Sequence, residues 1–115
     1  MKRKTYLKKV NKFWKEIQAT RDAGQKEYAR DEDNIFANFD RVANCLNIPR
    51  EKVLMTYLLK HIDGIGSYID GHKSQREAVS GRITDAVVYL LLLWAMTENK
   101  EEEEDDYNPW TVTTT

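Results

Sequence analysis

Few residues in this chain combine the type and spacing that chemistry needs, and most of them surround one apolar segment. "GRITDAVVYLLLLWAM", residues 81–96, is almost wholly apolar after a single carboxylate, Asp85. A carboxylate on a greasy helix loses solvation worth several kcal/mol and must recover it from a cation, a metal or hydrogen bonds. Two partners fit: a structural ion pair with Arg82 or another Arg or Lys, or a divalent cation held together with acids of a neighbouring helix. Glu77, Gly81 and Asp85 step along one side of the helix by fours. Gly81 costs about 1 kcal/mol of helix stability relative to Ala, which implies close packing or a ligand at that position. Glu77 has a second explanation, because Ser74 and Glu77 in "SQRE" have the spacing of a capping box.

The segment "YLLKHIDGI", residues 57–65, carries the complement. Its apolar stripe is Leu54, Leu58, Ile62 and Ile65, with His61 near the middle, where a hydrogen-bonded core histidine is the more common occupant than a ligand. Lys60 and Asp63 are i, i+3 neighbours on the same helix, worth a few tenths of a kcal/mol as a surface pair. Walker loops, GxGxxG, HExxH and the serine-nucleophile elbow are all missing from the sequence. Cys45 is the only cysteine, which excludes an internal disulfide and a multi-cysteine zinc site and fits a reducing compartment. It falls near the end of an apolar stripe and is expected in the core.

The elements that position these residues read as helices. Two prolines, five glycines and apolar residues recurring every three to four positions give an all-α chain. The first helix is expected over 4–22, with Tyr6, Val10, Phe13, Trp14 and Ile17 as its stripe and Gly24 ending it. The second is expected over 33–46, with Ile35, Phe36, Phe39, Val42, Ala43 and Leu46 inward and Asp31, Glu32 and Asp33 at its positive end. Pro49 starts the third, which runs to about Asp63 before Gly64 and Gly66 weaken it. The fourth opens at "SQRE" and runs to about Glu98, followed by an acidic, solvated tail over 99–115 in which Trp110 is the one residue suited to docking. The fold class is therefore a four-helix bundle-like single domain over 1–98 with a mobile acidic tail.

On a helical wheel the fourth helix has two apolar sides. Val79, Ile83, Val87, Leu90 and Trp94 form one stripe; Val88, Leu92 and Met96, headed by Asp85, form the other. Four helices surround such a helix poorly, so the second stripe is expected to meet another subunit in a homodimer or higher oligomer. The apolar run 86–96 is eleven residues, short of the roughly 20 that a bilayer span needs. With no apolar h-region at the N-terminus, the expectation is a cytoplasmic protein without a membrane partner.

Charge is balanced overall at −1 but not along the chain. Lys2, Arg3, Lys4, Lys8, Lys9, Lys12 and Lys15 make residues 1–15 basic, whereas 98–106 hold seven acids against Lys100. The two ends are suited to attract each other, within one chain or between chains. A solvated amphipathic face explains the lysines, and the acidic end argues against nucleic acid.

The combination "KEYARDEDNIFANFDRVANCLNI", "YLLKHIDGI" and "REAVSGRITDAVVYLLLL" resembles phage-encoded proteins of the nucleotide modification associated domain 1 type. These are in turn similar to MazG-like all-α nucleoside triphosphate pyrophosphohydrolases. The resemblance covers about residues 26–96 and is best at Tyr28, Asp33, Phe36, Asn38 and Phe39. It implies an oligomeric bundle that binds a nucleotide and holds magnesium with carboxylates to cut a triphosphate between its α and β phosphates. By position, Asp85 matches the acid of the family's last helix, Glu77 an acid opening it, and Lys60 and Asp63 its polar third-helix residues. On this reading Lys60 and Arg82 hold phosphates, Asp63, Glu77 and Asp85 hold magnesium, and Asn38 or Tyr28 touches base or sugar. The chain departs from the family's paired acids: the second pair reads Arg82-x-x-Asp85, and the helical region lacks the first. The rival expectation is a small non-enzymatic interaction protein acting through oligomerisation or capture of a host protein.

Overall fold

The computed structural model describes residues 1–72 and 76–106, with side chains through Asn99. Four α-helices follow one another, and among the described residues there is no strand: α1 is Arg3–Gly24, α2 Ala37–Leu46, α3 Arg50–Ile69 and α4 Val79–Asp106. Ser74 and Trp110, on which the capping box and the docking tail rest, lie outside the described residues. Glu77 stands in a bend two residues ahead of α4, so the helix opens at Val79 and not at "SQRE". At its other end α4 continues to Asp106, so the acidic stretch begins as helix.

Local chemistry explains where the elements differ from their expected bounds. Gly24 keeps right-handed angles, and α1 passes through it into a π-helical turn, Gln25–Ala29, that ends at Arg30 in the left-handed region (φ 55°). Between Asp31 and Phe36, Asp31 accepts from the Asp33 N–H and Asn34 from the Phe36 N–H. These side-chain turns compete with helix, and α2 therefore starts at Ala37. Asn47 ends α2 in the left-handed conformation (φ 57°), and extended Pro49 launches α3. Neither Gly64 nor Gly66 stops α3, which runs 20 residues.

The core lies where α2, α3 and α4 converge: Phe36, Phe39, Val53, Leu54, Leu92 and Met96, with Leu54 and Met96 fully buried. Each such side chain contributes roughly 1.5–3 kcal/mol by leaving water. Arg50 fastens the same end, donating to Asp40 (3.3 Å) and Asn99 (2.9 Å) with its guanidinium 4.5 Å over the Phe36 ring. Cys45 and Leu46 are exposed because, among the described residues, nothing packs on the far edge of the short α2; Ile35, in the turn before it, is exposed too.

The two faces of α4 are used opposite to expectation. Leu92 and Met96 belong to the chain's own core and Val88 packs against it, whereas Ile83, Leu90 and Trp94 of the other stripe are exposed, Trp94 by 62%. In α1, Ile17 is buried, but Tyr6, Leu7, Val10 and Trp14 are exposed. By length and composition Val79–Asn99 would suffice to cross a membrane, and only a small part of that span is buried. Its inner face supplies Ala86, Leu92 and Met96 to the interior.

The chain advances alongside α4 in one direction. Glu16 and Thr20 share a basin with Glu77–Asp85; Gly24 and Tyr28 share a cleft with Tyr89 and Leu92; Asn34 and Phe36 lie near Trp94 and Asn99. Hence α1 runs parallel to α4. Its basic first half projects beyond one end of the bundle, and the acidic end of α4 extends beyond the other. An attraction within one chain between residues 1–15 and the end of α4 is thereby ruled out.

Candidate functional site

Asp85 faces inward, towards α3. Its Oδ2 stands 3.7 Å from Nε2 of His61, too long for a hydrogen bond. His61 is 6% exposed, and its buried Nδ1 has no hydrogen-bond partner. It stacks on Tyr89, the ring centroids 5.7 Å apart, and Tyr89 stacks on Tyr57 at 6.1 Å. Phe39 meets both tyrosines edge-on. Burial first, and then the charge of Asp85, pushes the Tyr89 hydroxyl up from 10 to about 12. At neutral pH Tyr89 is thus a neutral phenol.

Glu77 completes a group with His61 and Asp85, in which one donor atom from each lies within 4.8 Å of the others. Ligands around a tetrahedral divalent ion sit roughly 3.3 Å apart, given bonds of about 2.0–2.1 Å. The three side chains therefore need a modest contraction to share an ion. Glu77 is exposed at the helix entrance and is the one with room to move. One imidazole with two carboxylates is a donor set that suits manganese, zinc or cobalt as well as magnesium.

Two concavities meet at this group. The first, about 300 Å³, is lined by Gly24, Tyr28, Asn38, Phe39, Asp85 and Tyr89 among others, an apolar cleft with a few polar groups. The second, about 450 Å³, is an open basin lined by Glu16, Thr20, Glu77, Gly81, Thr84 and Asp85. Asp85 and Thr20 line both. A Cβ on Gly81 would meet nothing within 4 Å, so close packing does not require glycine there.

Tyr28, Asn38 and Asp85 are thus brought together in the cleft, and Glu77 lines the basin on the other side of Asp85. Arg41 fixes the π turn that presents Tyr28 by donating to the Tyr28 and Ala29 carbonyls. Lys60 and Asp63 are not brought in: both are exposed, and neither belongs to the group with His61 nor lines either concavity. Arg82 makes no described ion pair with Asp85; it lies over Gly64 of α3, where even an added Cβ would collide with its guanidinium, and its Nε is buried without a hydrogen-bond partner.

Sequence reasoning missed His61, Tyr89 and Thr20 as parts of the site. The signal for His61 was its spacing from Leu54 and Leu58 at i, i+4 and i+7; Ile62, assigned to the inner stripe, is 47% exposed. Tyr89 gave no signal, since a tyrosine next to Val88 and Leu90 reads as ordinary core. Compared with protein-family models, with curated proteins and with solved structures, the chain matches none.

Proposed function

We propose that this protein binds a nucleotide with a divalent cation across the junction of the two concavities. The observation that supports the reading best is the position of Asp85, shared between an aromatic cleft and an acidic basin. A base fits between Tyr28 and Tyr89, with the Asn38 amide able to donate and accept at its edge. The phosphates then enter the basin, where Glu16, Glu77 and Asp85 repel them. A divalent cation reverses that repulsion, and Asp85 with Glu77 and His61 can hold it. Magnesium is the cation that the resemblance to MazG-like proteins implies, and a nucleoside triphosphate the ligand. Cleavage between the α and β phosphates is the extension of this reading; the cation would polarise the phosphate and lower the pKa of a bound water.

The test is the melting temperature of the full chain with magnesium or manganese, each with and without ATP or dCTP, together with an assay for released pyrophosphate. A ligand at 100 times its Kd adds about 2.7 kcal/mol to stability. Asp85→Asn should abolish that gain, while Lys60→Ala should leave it unchanged because Lys60 points away. If no combination of cation and nucleotide shifts the transition, the nucleotide reading fails.

A second reading, assembly without chemistry, is favoured by the exposed Ile83, Leu90 and Trp94 on α4. It predicts that Asp85→Asn changes no ligand response because there is none.

A further inference from the structure

Two apolar stripes remain uncovered in the monomer, and they match. On the projecting half of α1, Tyr6, Val10 and Phe13 lead to Ile17 at intervals of four, three and four. On the outer face of α4, Ile83, Val87, Leu90 and Trp94 repeat the same intervals. That spacing is the seam of a two-helix coiled coil. Tyr6, Val10, Ile83, Leu90 and Trp94 are each between 38% and 62% exposed, and Phe13 and Val87 are partly so.

Four-three-four reads the same in both directions, so the stripes can be laid together parallel or antiparallel, and charge decides between the two. Antiparallel, Tyr6 faces Trp94, Val10 faces Leu90 and Phe13 faces Val87. The next pair along is Lys2 with Glu98, and the start of the chain falls opposite Asn99, so the arm's basic end lies within a turn of the acidic stretch that begins at residue 101. Parallel pairing would instead carry the lysine-rich arm towards the start of α4 and leave the acids of its far end unopposed.

The topology makes this pairing closed. Because α1 runs parallel to α4, two copies lying antiparallel place each projecting arm beside the far half of the other's α4. Both arms are then covered by one two-fold operation. Within one chain the same contact cannot form: Val10 lies before the start of α4 and Leu90 well along it, about 20 Å apart at 1.5 Å per residue.

We propose that a second copy of this chain covers the outer face of α4, through an antiparallel, two-fold exchange of α1 arms in which residues 6, 10 and 13 of each copy meet 94, 90 and 87 of the other. This interface is independent of the nucleotide site, whose residues face the opposite side of α4.

The register is testable by cross-linking in a Cys45→Ser background, using the full chain. Val10→Cys combined with Leu90→Cys should oxidise to a covalent dimer, whereas Val10→Cys with Ile83→Cys, displaced by about 10 Å along the helix, should not. Sedimentation velocity should show a dimer that weakens as salt rises. Trp94→Glu should raise its dissociation constant at least tenfold while far-UV circular dichroism and the monomer's urea midpoint stay unchanged. A monomer at every concentration overturns the proposal, as does a dimer that cross-links equally through both cysteine pairs. So does a monomer that floats with vesicles of phosphatidylcholine and phosphatidylglycerol, since a bilayer would then cover this face.

Discussion

The two sides of α4 have nearly the same apolar content and opposite fates. The inner side carries Thr84, Asp85, Val88, Leu92 and Met96 and is enclosed by α2, α3 and the end of α1. The outer side carries Ile83, Leu90 and Trp94 and meets water. Hydrophobicity therefore did not choose the buried face. The choice fell to what the neighbours could accept: His61 and Tyr89 give Asp85 a polar and aromatic surround inside, whereas outward the indole of Trp94 can remain half wet.

The sharpest way to break this contrast is to shorten one side chain on each face. Met96→Ala should cost about 2–5 kcal/mol in urea unfolding, because a fully buried side chain leaves a cavity. Leu90→Ala should change monomer stability by less than about 1 kcal/mol at protein concentrations where no dimer forms. Equal costs would mean that the faces are not distinguished as described.

A smaller effect separates two glycines of α3. Gly66→Ala, with open space around the added carbon, should stabilise by about 0.5–1 kcal/mol through helix propensity. Gly64→Ala should lose that gain and more, because the new methyl meets the Arg82 guanidinium. Thermal melts of the two variants side by side measure the difference directly.

A further effect concerns Tyr89 and is confined to alkaline pH. Its folded pKa, about 12, lies above the ordinary value of 10. Between these values the unfolded chain has released the proton and the folded chain has kept it. The contribution of Tyr89 is thus whole below pH 10 and falls as pH rises from 10 towards 12. Tyr89→Phe should make the alkaline decline in urea midpoint shallower than in the unaltered chain. Asp85→Asn should do so in part, since the Asp85 charge is the second cause of the shift.

The helical class and the general order of the elements were legible in the sequence, since periodicity reports helices directly. Which face of α4 turned inward was not, because both have the 3.6-residue repeat and a wheel contains no neighbours. Tyr28, Asn38 and Asp85, distant in the chain, were named from the sequence and line one cleft; Lys60 and Asp63 were named on the same grounds and point outward. Those two rested on their position in the resemblance, which does not fix the side of α3 they occupy; there His61, not Ile62, turns inward. Arg82 was legible as a cation near Asp85, but its engagement with Gly64 depends on how α3 and α4 are offset along their axes, which no local pattern encodes.

That engagement has a mechanical consequence. The bare backbone at Gly64 is a notch, and Arg82 is the tooth seated in it. Sliding α4 past α3 by a single residue, about 1.5 Å, would lift the tooth onto the side chain of Ile65 or Asp63. His61 is one turn from the notch and Asp85 one turn from the tooth, so the helix offset that seats Arg82 is also the one that brings the pair to 3.7 Å. Shape thus registers α3 against α4 beside the pair, through a contact in which neither of them takes part.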